Sequence, residues 1–452
     1  MNGLKEKFGL ATAISMVVGI VIGSGVFFKA DDVLIATNGN LPLAILAWLI
    51  GGSIMVVSAY TFSLAARRIS KSNGIVDYVE AGYGEKAGFY VGYFMAYIYY
   101  PTLTGVLAWV SGLYTSILFG VEGYGLWYFA LFYLLVIVLL NYLSPILSGK
   151  FQVSATVIKL IPLSLVAVVG LIVGFASGLT VENFTTAAQT VGSSGGGLAT
   201  AVLATAFAYE GWIVATSINS ELRDAKKTLP KALVIGSLIV IVTYITYYVG
   251  LAGTLSNEVF AVEGDNAVNI AVNTLFGSFA GTALTVFVII SCLGTLNGLM
   301  LGTSRSVFSL AIRNKGFAPI YFSKTSEKSN APTRSVVLSL IIMALWGLVW
   351  FGNFEGWFNG FLDTSELPIA FLYAIYLLVY VWIIRSFTDL NIWQRYVAPI
   401  ASSVGSLYIV YAAVQKDLFV VFTLITVVIF VSAFVSELVN KASNQDLVSA
   451  SE

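Results

Sequence analysis

Few side chains in this sequence could do chemistry. Histidine is absent, which removes the usual metal ligand and the usual proton relay. There is one cysteine, Cys292, so no intramolecular disulfide and no cysteine-built metal site is possible. Neither a metal nor another cofactor is expected. The chain holds no HExxH and no TVGYG-like filter, its one GxSxG match lies in the Gly/Ser-rich connection at 192–196, and no intramembrane carboxylate pair is expected. An enzyme and a channel are both disfavoured. What remains is polar residues in places where they are costly. Gly23-Ser24-Gly25 interrupts the first apolar run, Ala208-Tyr209-Glu210-Gly211 interrupts another, and Lys159 lies inside a third. Each glycine weakens a helix by roughly 1 kcal/mol. In lipid a broken helix is tolerated only where its freed backbone groups face protein, water or a ligand. Close packing through small residues would explain one such break. Two breaks favour a binding site for something small and polar.

The elements that must position these residues are membrane spans. The chain has 452 residues, 58% hydrophobic and 10% charged, against roughly 25% charged in soluble proteins. Twelve apolar runs come close to or exceed the roughly 18 residues that mark a spanning helix. They cover about 8–36, 41–66, 87–118, 126–143, 151–175, 198–222, 232–255, 279–312, 335–351, 367–384, 396–414 and 418–439. The expected fold is an all-α polytopic membrane protein, with 1–452 as a single transmembrane domain of 12 helices. The first run is too long for a cleavable signal and continues into the fold. Basic and acidic residues number 23 each, so net charge points to no nucleic acid or acidic partner. The basic residues fall in alternate connections, those after spans 2, 4, 6, 8 and 10, and near both termini. Cytoplasmic loops carry the excess of Lys and Arg, so both termini are expected in the cytoplasm. Lys29 and Lys416 are exceptions on the outer side. Asp31-Asp32 reads as a solvated outer rim, and Tyr247 and Tyr248 as an interfacial aromatic belt.

The broken spans 1 and 6 lie five spans apart and enter the membrane from opposite sides. That is the pattern of a 5+5 inverted repeat with its site at the repeat interface. The repeats would be 8–175 and 198–384, with 396–439 as two additional helices. Half-helix N-termini present unpaired N–H groups and a positive dipole end; half-helix C-termini present unpaired C=O groups. Two such ends side by side can grip the anionic and cationic groups of an α-amino acid without a charged side chain. Other small zwitterions would satisfy the same groups.

Four motifs carry a resemblance. They are Gly23-Ser24-Gly25-Val26-Phe27, Lys159-Leu160-Ile161-Pro162, Phe207-Ala208-Tyr209-Glu210-Gly211-Trp212, and Glu221-Leu222 followed by Leu229-Pro230-Lys231-Ala232. Together the chain resembles the amino acid–polyamine–organocation superfamily, and within it the L-amino acid transporter, light-chain-like branch. The resemblance implies a leucine-transporter-type fold with broken helices 1 and 6 and transport by alternating access. It implies that N–H groups around Gly23, Ser24 and Gly25 receive the substrate carboxylate. It implies that C=O groups of Ile20, Phe207, Ala208 and Glu210, or near neighbours, receive the ammonium. Phe207 resembles the aromatic gate over bound substrate; an ordinary core or lipid-facing Phe is the alternative.

Lys159 lies about nine residues into its span. At about 1.5 Å per residue it is well below the surface, where a charge costs roughly 2.5–3.5 kcal/mol. The resemblance places its ammonium where related transporters hold sodium, near span 1 carbonyls at 19–22 and Ser291 of span 8. Sodium-independent transport follows, with Tyr244 helping to hold the unwound part of span 1. Lys159 reads as a fixed charge or, because desolvation can lower the pKa of a buried lysine, as a proton carrier. Glu210 reads as a proton site, a side-chain selector or a helper for cationic substrates. Asp224-Ala225 stands where the superfamily usually shows Asn-Pro or Asp-Pro, and an amphipathic cytoplasmic helix is still expected there. Residues 119–125 hold no cysteine, so no disulfide-linked heavy chain is expected. The resulting reading is a plasma-membrane exchanger of small or medium neutral L-amino acids. A proton-coupled amino acid or amine symporter on the same fold is the alternative.

Overall fold

The computed structural model describes residues 9–69, 71, 73–189, 196–214, 216, 222–327 and 331–449. Lys5, Lys7, the first residue of span 1, Glu221, Lys328 and most of the second half of span 6 lie outside the described residues. Among the described residues there is no strand, and twelve helical stretches are long and apolar enough to cross a membrane. Spans 4 and 12 present Leu131, Phe132, Leu139, Val420, Leu424, Val428 and Val431 outward. The interior is closed by aromatic rings and by backbone-to-backbone contacts. A Cβ on Gly250 would lie 2.6 Å from Val166 O, so spans 5 and 7 touch through glycine. Small residues let helices approach this closely in lipid.

Prolines set several local departures. Span 3 runs over Glu85–Phe119 with a π-helical turn at Met95–Tyr99. Pro101 has no N–H for the carbonyl of Tyr97, and the Trp346 indole takes that oxygen at 2.8 Å. Span 5 is not one helix over 151–175. Helices Pro145–Ile158 and Leu160–Ser177 meet in a step at Lys159, because Pro162 cannot bond the carbonyl of Ile158. The basic stretch after span 6 forms no separate helix; it is the start of Ala225–Ala252, continuous with span 7. Span 8 runs to Ile312 and turns sharply at Gly277, whose φ of 77° suits glycine.

Connections expected to be loops carry helices. Leu179–Thr185 lies in the segment after span 5. Asn183 ties it down, donating to Ala252 O at 2.6 Å and Leu255 O at 2.8 Å and accepting from Asn257 N at 2.9 Å. Asn257–Glu263 forms a second such helix.

Alternate connections meet one another. After spans 2 and 8, Arg313 pairs with Asp77 at 2.9 Å and Glu80 at 2.7 Å; Arg68 pairs with Asp389 after span 10. At the other end, Lys29 pairs with Asp32 at 2.8 Å and Glu366 at 2.9 Å. Asp31 is buried there, not a solvated rim. Tyr247 and Tyr248 are also buried, not an interfacial belt. The ring of Tyr247 packs edge-on against Phe27, and the hydroxyl of Tyr248 donates to Ala30 O at 3.1 Å.

Asp363 caps the turn into span 10. Its Oδ1 accepts from Ser365 N and Glu366 N, each at 3.0 Å, and from Ser365 Oγ at 2.6 Å. Burial alone would raise its pKa. The ammonium groups of Lys29 and Lys416 and these hydrogen bonds outweigh burial and hold the carboxyl below its ordinary range. A depressed folded pKa stabilises fully above the unfolded value of about 3.9 and is lost as pH falls through the folded value. Asp363→Ala is therefore expected to cost about 1–2 kcal/mol at neutral pH. A melting curve in detergent checks it, and the deficit should shrink in strong acid.

Candidate functional site

Span 1 is broken as its glycines suggest, one residue earlier than 23–25. The helix Leu10–Val21 ends at Ile22, which is extended (φ −66°, ψ 96°). Helix resumes over Gly25–Phe28 with Ser24 before it, steps at Lys29 and continues over Ala30–Ala36. The first N–H groups of a resumed helix have no acceptor within it. Ser24 is buried, and its hydroxyl has no partner among the described residues. Span 6 ends its helix Gly197–Tyr209 at Glu210, which is extended (ψ 162°). Gly211 follows with φ 109°, a conformation that L side chains rarely adopt.

The two breaks lie against each other. A Cβ on Gly25 would stand 2.6 Å from Ala208 Cα, and one on Gly211 3.3 Å from Ile20 O. Gly23 faces span 8, where the same test meets Thr295 Oγ1 at 2.7 Å. Tyr244 spans both breaks: its hydroxyl lies 2.9 Å from Val21 O and 3.1 Å from Ala208 O. One hydroxyl proton is shared between two carbonyls that their own helices leave free. Ala208 O thus already has a donor, while a carbonyl keeps a second lone pair for another.

Lys159 is buried and donates from Nζ to Gly19 O, in the last turn before the break. Ser291 is buried on span 8, and its hydroxyl has no partner among the described residues. Phe207 is not lipid-facing. Its ring is buried, edge-on to Phe28 at 5.7 Å. Glu210 is buried with Oε1 accepting from the Tyr376 hydroxyl at 3.2 Å, and the Tyr99 hydroxyl is also directed at its carboxyl. Tyr376 was missed in the sequence. Its signal is Tyr373, Tyr376 and Tyr380, three and four residues apart and so on one helical face. All three are buried.

Twelve spans around two paired helix breaks, with a buried lysine beside them, define the class: a polytopic membrane carrier. The model of the amino acid permease family matches residues 8–442, and the chain belongs to that family. It is a transporter, not an enzyme. The serine/threonine exchanger SteT of Bacillus subtilis is 35% identical over 315 residues, 70% of each chain. The human cystine/glutamate transporter is 26% identical over 339 residues, 74% of this chain and 66% of the relative. The human large neutral amino acids transporter small subunit 2 is 28% identical over 351 residues, 75% and 63% respectively. The match thus spans just under two thirds of each human relative.

Removing the Tyr244 hydroxyl should leave Val21 O and Ala208 O without their shared donor. Tyr244→Phe is expected to slow transport by about fivefold, the equivalent of about 1 kcal/mol for one buried hydrogen bond. Initial rates in proteoliposomes check this.

Proposed function

We propose that this chain exchanges small or medium neutral L-amino acids across the plasma membrane, independently of sodium, with both termini in the cytoplasm. The observation that carries the reading is the contact between the two breaks. N–H groups at Gly23, Ser24 and Gly25 face the site from the start of one half-helix. Carbonyls at Ile20, Phe207 and Glu210 lie close by at the ends of two others. The first group suits a carboxylate and the second an ammonium. The binding pair sits on spans 1 and 6, the corresponding spans of two inverted repeats at 8–175 and 198–384; residues 396–439 add two helices outside them. Phe207 closes over the substrate. Lys159 donates to Gly19 O, where a sodium ion would otherwise be required, and Tyr244 and Ser291 complete that site. The names of the bacterial exchanger and of the large neutral amino acid transporter support exchange of neutral substrates.

The chemistry follows from the shared part of an amino acid. Main-chain groups read the α-carboxylate and α-ammonium; the pocket beyond them reads the side chain. Loaded, the carrier has its half-helix ends satisfied and reorients readily. Empty, those ends stay unpaired and reorientation is slow, so transport in one direction requires transport in the other. Proton coupling is the second reading, favoured by one feature: a carboxyl group, Glu210, buried at the span 6 break against the hydroxyls of Tyr376 and Tyr99.

Uptake of a labelled amino acid panel into proteoliposomes tests both. Exchange predicts uptake only with internal amino acid, unchanged when sodium is replaced by choline and with no need for a pH gradient. Uptake into empty vesicles driven by an inward proton gradient would replace exchange by symport.

A further inference from the structure

At the end of the molecule that carries Arg313, a groove of about 390 Å³ opens outward between spans 4 and 9. That volume lies within the roughly 300–1,000 Å³ of small-ligand sites. Tyr142 comes from the last turn of span 4, Tyr321 and Phe322 from the short helix Pro319–Phe322, and Arg334, Val337 and Ile341 from the first turns of span 9. Tyr142, Tyr321, Val337 and Ile341 are exposed. Leu345 and Leu348 are exposed further along the same face of span 9. An apolar stripe therefore runs from the groove along the lipid-facing side of the molecule.

The polar head of the groove is built by span 9 itself. Arg334 Nη1 donates to Tyr321 O at 3.2 Å, and its guanidinium carbon lies 4.1 Å from the Tyr321 ring centroid. Ser335 Oγ donates to Phe322 O at 2.9 Å. These bonds pin the short helix to the start of span 9 and set one wall. Arg313, at the other end of the same connection, is spent on Asp77 and Glu80. Arg334 has no carboxylate partner among the described residues. A guanidinium has five N–H donors, so several are left for a further acceptor. The connection 313–334 holds five basic residues and one acidic.

An occupant must be amphipathic. A free anion would meet Arg334 and leave Val337 and Ile341 uncovered. A neutral hydrocarbon would cover those two and leave the guanidinium without a counter-charge. We propose that the groove binds one anionic phospholipid from the leaflet beside the basic connections, with its phosphate on Arg334 and an acyl chain along Val337 and Ile341. Arginine suits phosphate through paired N–H donors, and basic pockets between spans attract anionic headgroups. The proposal rests on the chain being a membrane carrier and not on the identity of its substrate.

Native mass spectrometry of the full chain in detergent tests it, with phosphatidylglycerol or phosphatidylcholine of the same acyl chains added in equal amount. One phosphatidylglycerol should stay bound per chain, at least fivefold more than phosphatidylcholine. Arg334→Gln should lower that retention about fivefold, the effect of one basic residue at an anionic leaflet. Val337→Trp keeps the charge and fills the groove, and should lower it as much; it also serves should Arg334→Gln fail to fold. Lys324→Gln removes an exposed charge of the same connection outside the groove and should change nothing. Glycerol phosphate, an anion without chains, should not displace the lipid at equal concentration. Equal retention of the two lipids, or undiminished retention in a folded Arg334→Gln or Val337→Trp chain, would overturn the proposal. So would a loss in Lys324→Gln as large as in Arg334→Gln, displacement by glycerol phosphate, or a lipid-free dimer that Val337→Trp dissociates. No transport is measured, so a failed lipid site would leave the exchange reading standing, and a wrong substrate would leave the lipid result intact.

Discussion

Lys159→Ala is expected to lower exchange by roughly ten- to 150-fold, the equivalent of losing a charged hydrogen bond of about 1.5–3 kcal/mol. Lys159 Nζ donates to Gly19 O at the edge of the break from a side chain 1% exposed. Alanine removes both the donor and the charge. Gly19 O is left unpaired, and the unwound segment loses the group that positions its N-terminal side. Folding should survive, because the step at 159 is set by Pro162 and the surrounding spans pack without the ammonium. Size-exclusion profiles and initial exchange rates separate the two effects. Normal exchange in a folded Lys159→Ala chain would remove this residue from the mechanism.

Gly25→Leu is expected to weaken binding severely, by up to roughly a hundredfold. The reason is steric. The first atom of any side chain at this position would stand 2.6 Å from Ala208 Cα and 3.2 Å from Ala208 Cβ. Both atoms are fixed to the backbone of the facing half-helix, so no rotamer change relieves the clash. Overpacking of this kind typically costs 1–3 kcal/mol, and here the strain falls on the two segments that must hold the substrate. Gly25→Ala should show the same loss in milder form. A scintillation proximity assay with the amino acid found in the uptake panel reads both variants. Wild-type affinity in Gly25→Leu would show that the breaks need not touch.

Much of this site was legible because it violates the ordinary rule for a membrane span. Gly23-Ser24-Gly25 and Glu210-Gly211 are poor helix formers inside apolar runs, and Lys159 is a charge where charge is costly. The step at Lys159 was legible too, through Pro162, but a continuous span was read there. What stayed hidden depends on distant partners. Lys29 looked like a stray outer charge because Glu366 and Lys416 lie more than three hundred residues away. Tyr247 and Tyr248 looked interfacial because a tyrosine run reads the same in a belt and in a core. Only packing against Phe27 and Ala30 decides between them. The helix Leu179–Thr185 was hidden for a related reason: its anchor Asn183 bonds to span 7 and the segment beyond it.

The most direct test of the central claim is a density map of the protein with a transported amino acid bound. The account predicts the α-carboxylate within hydrogen-bond distance of the N–H groups at Ser24 and Gly25. It predicts the α-ammonium against free carbonyls at the ends of the span 1 and span 6 half-helices, beneath Phe207. Density for the amino acid away from both breaks, or regular helix through 22–25 and 209–211, would contradict it.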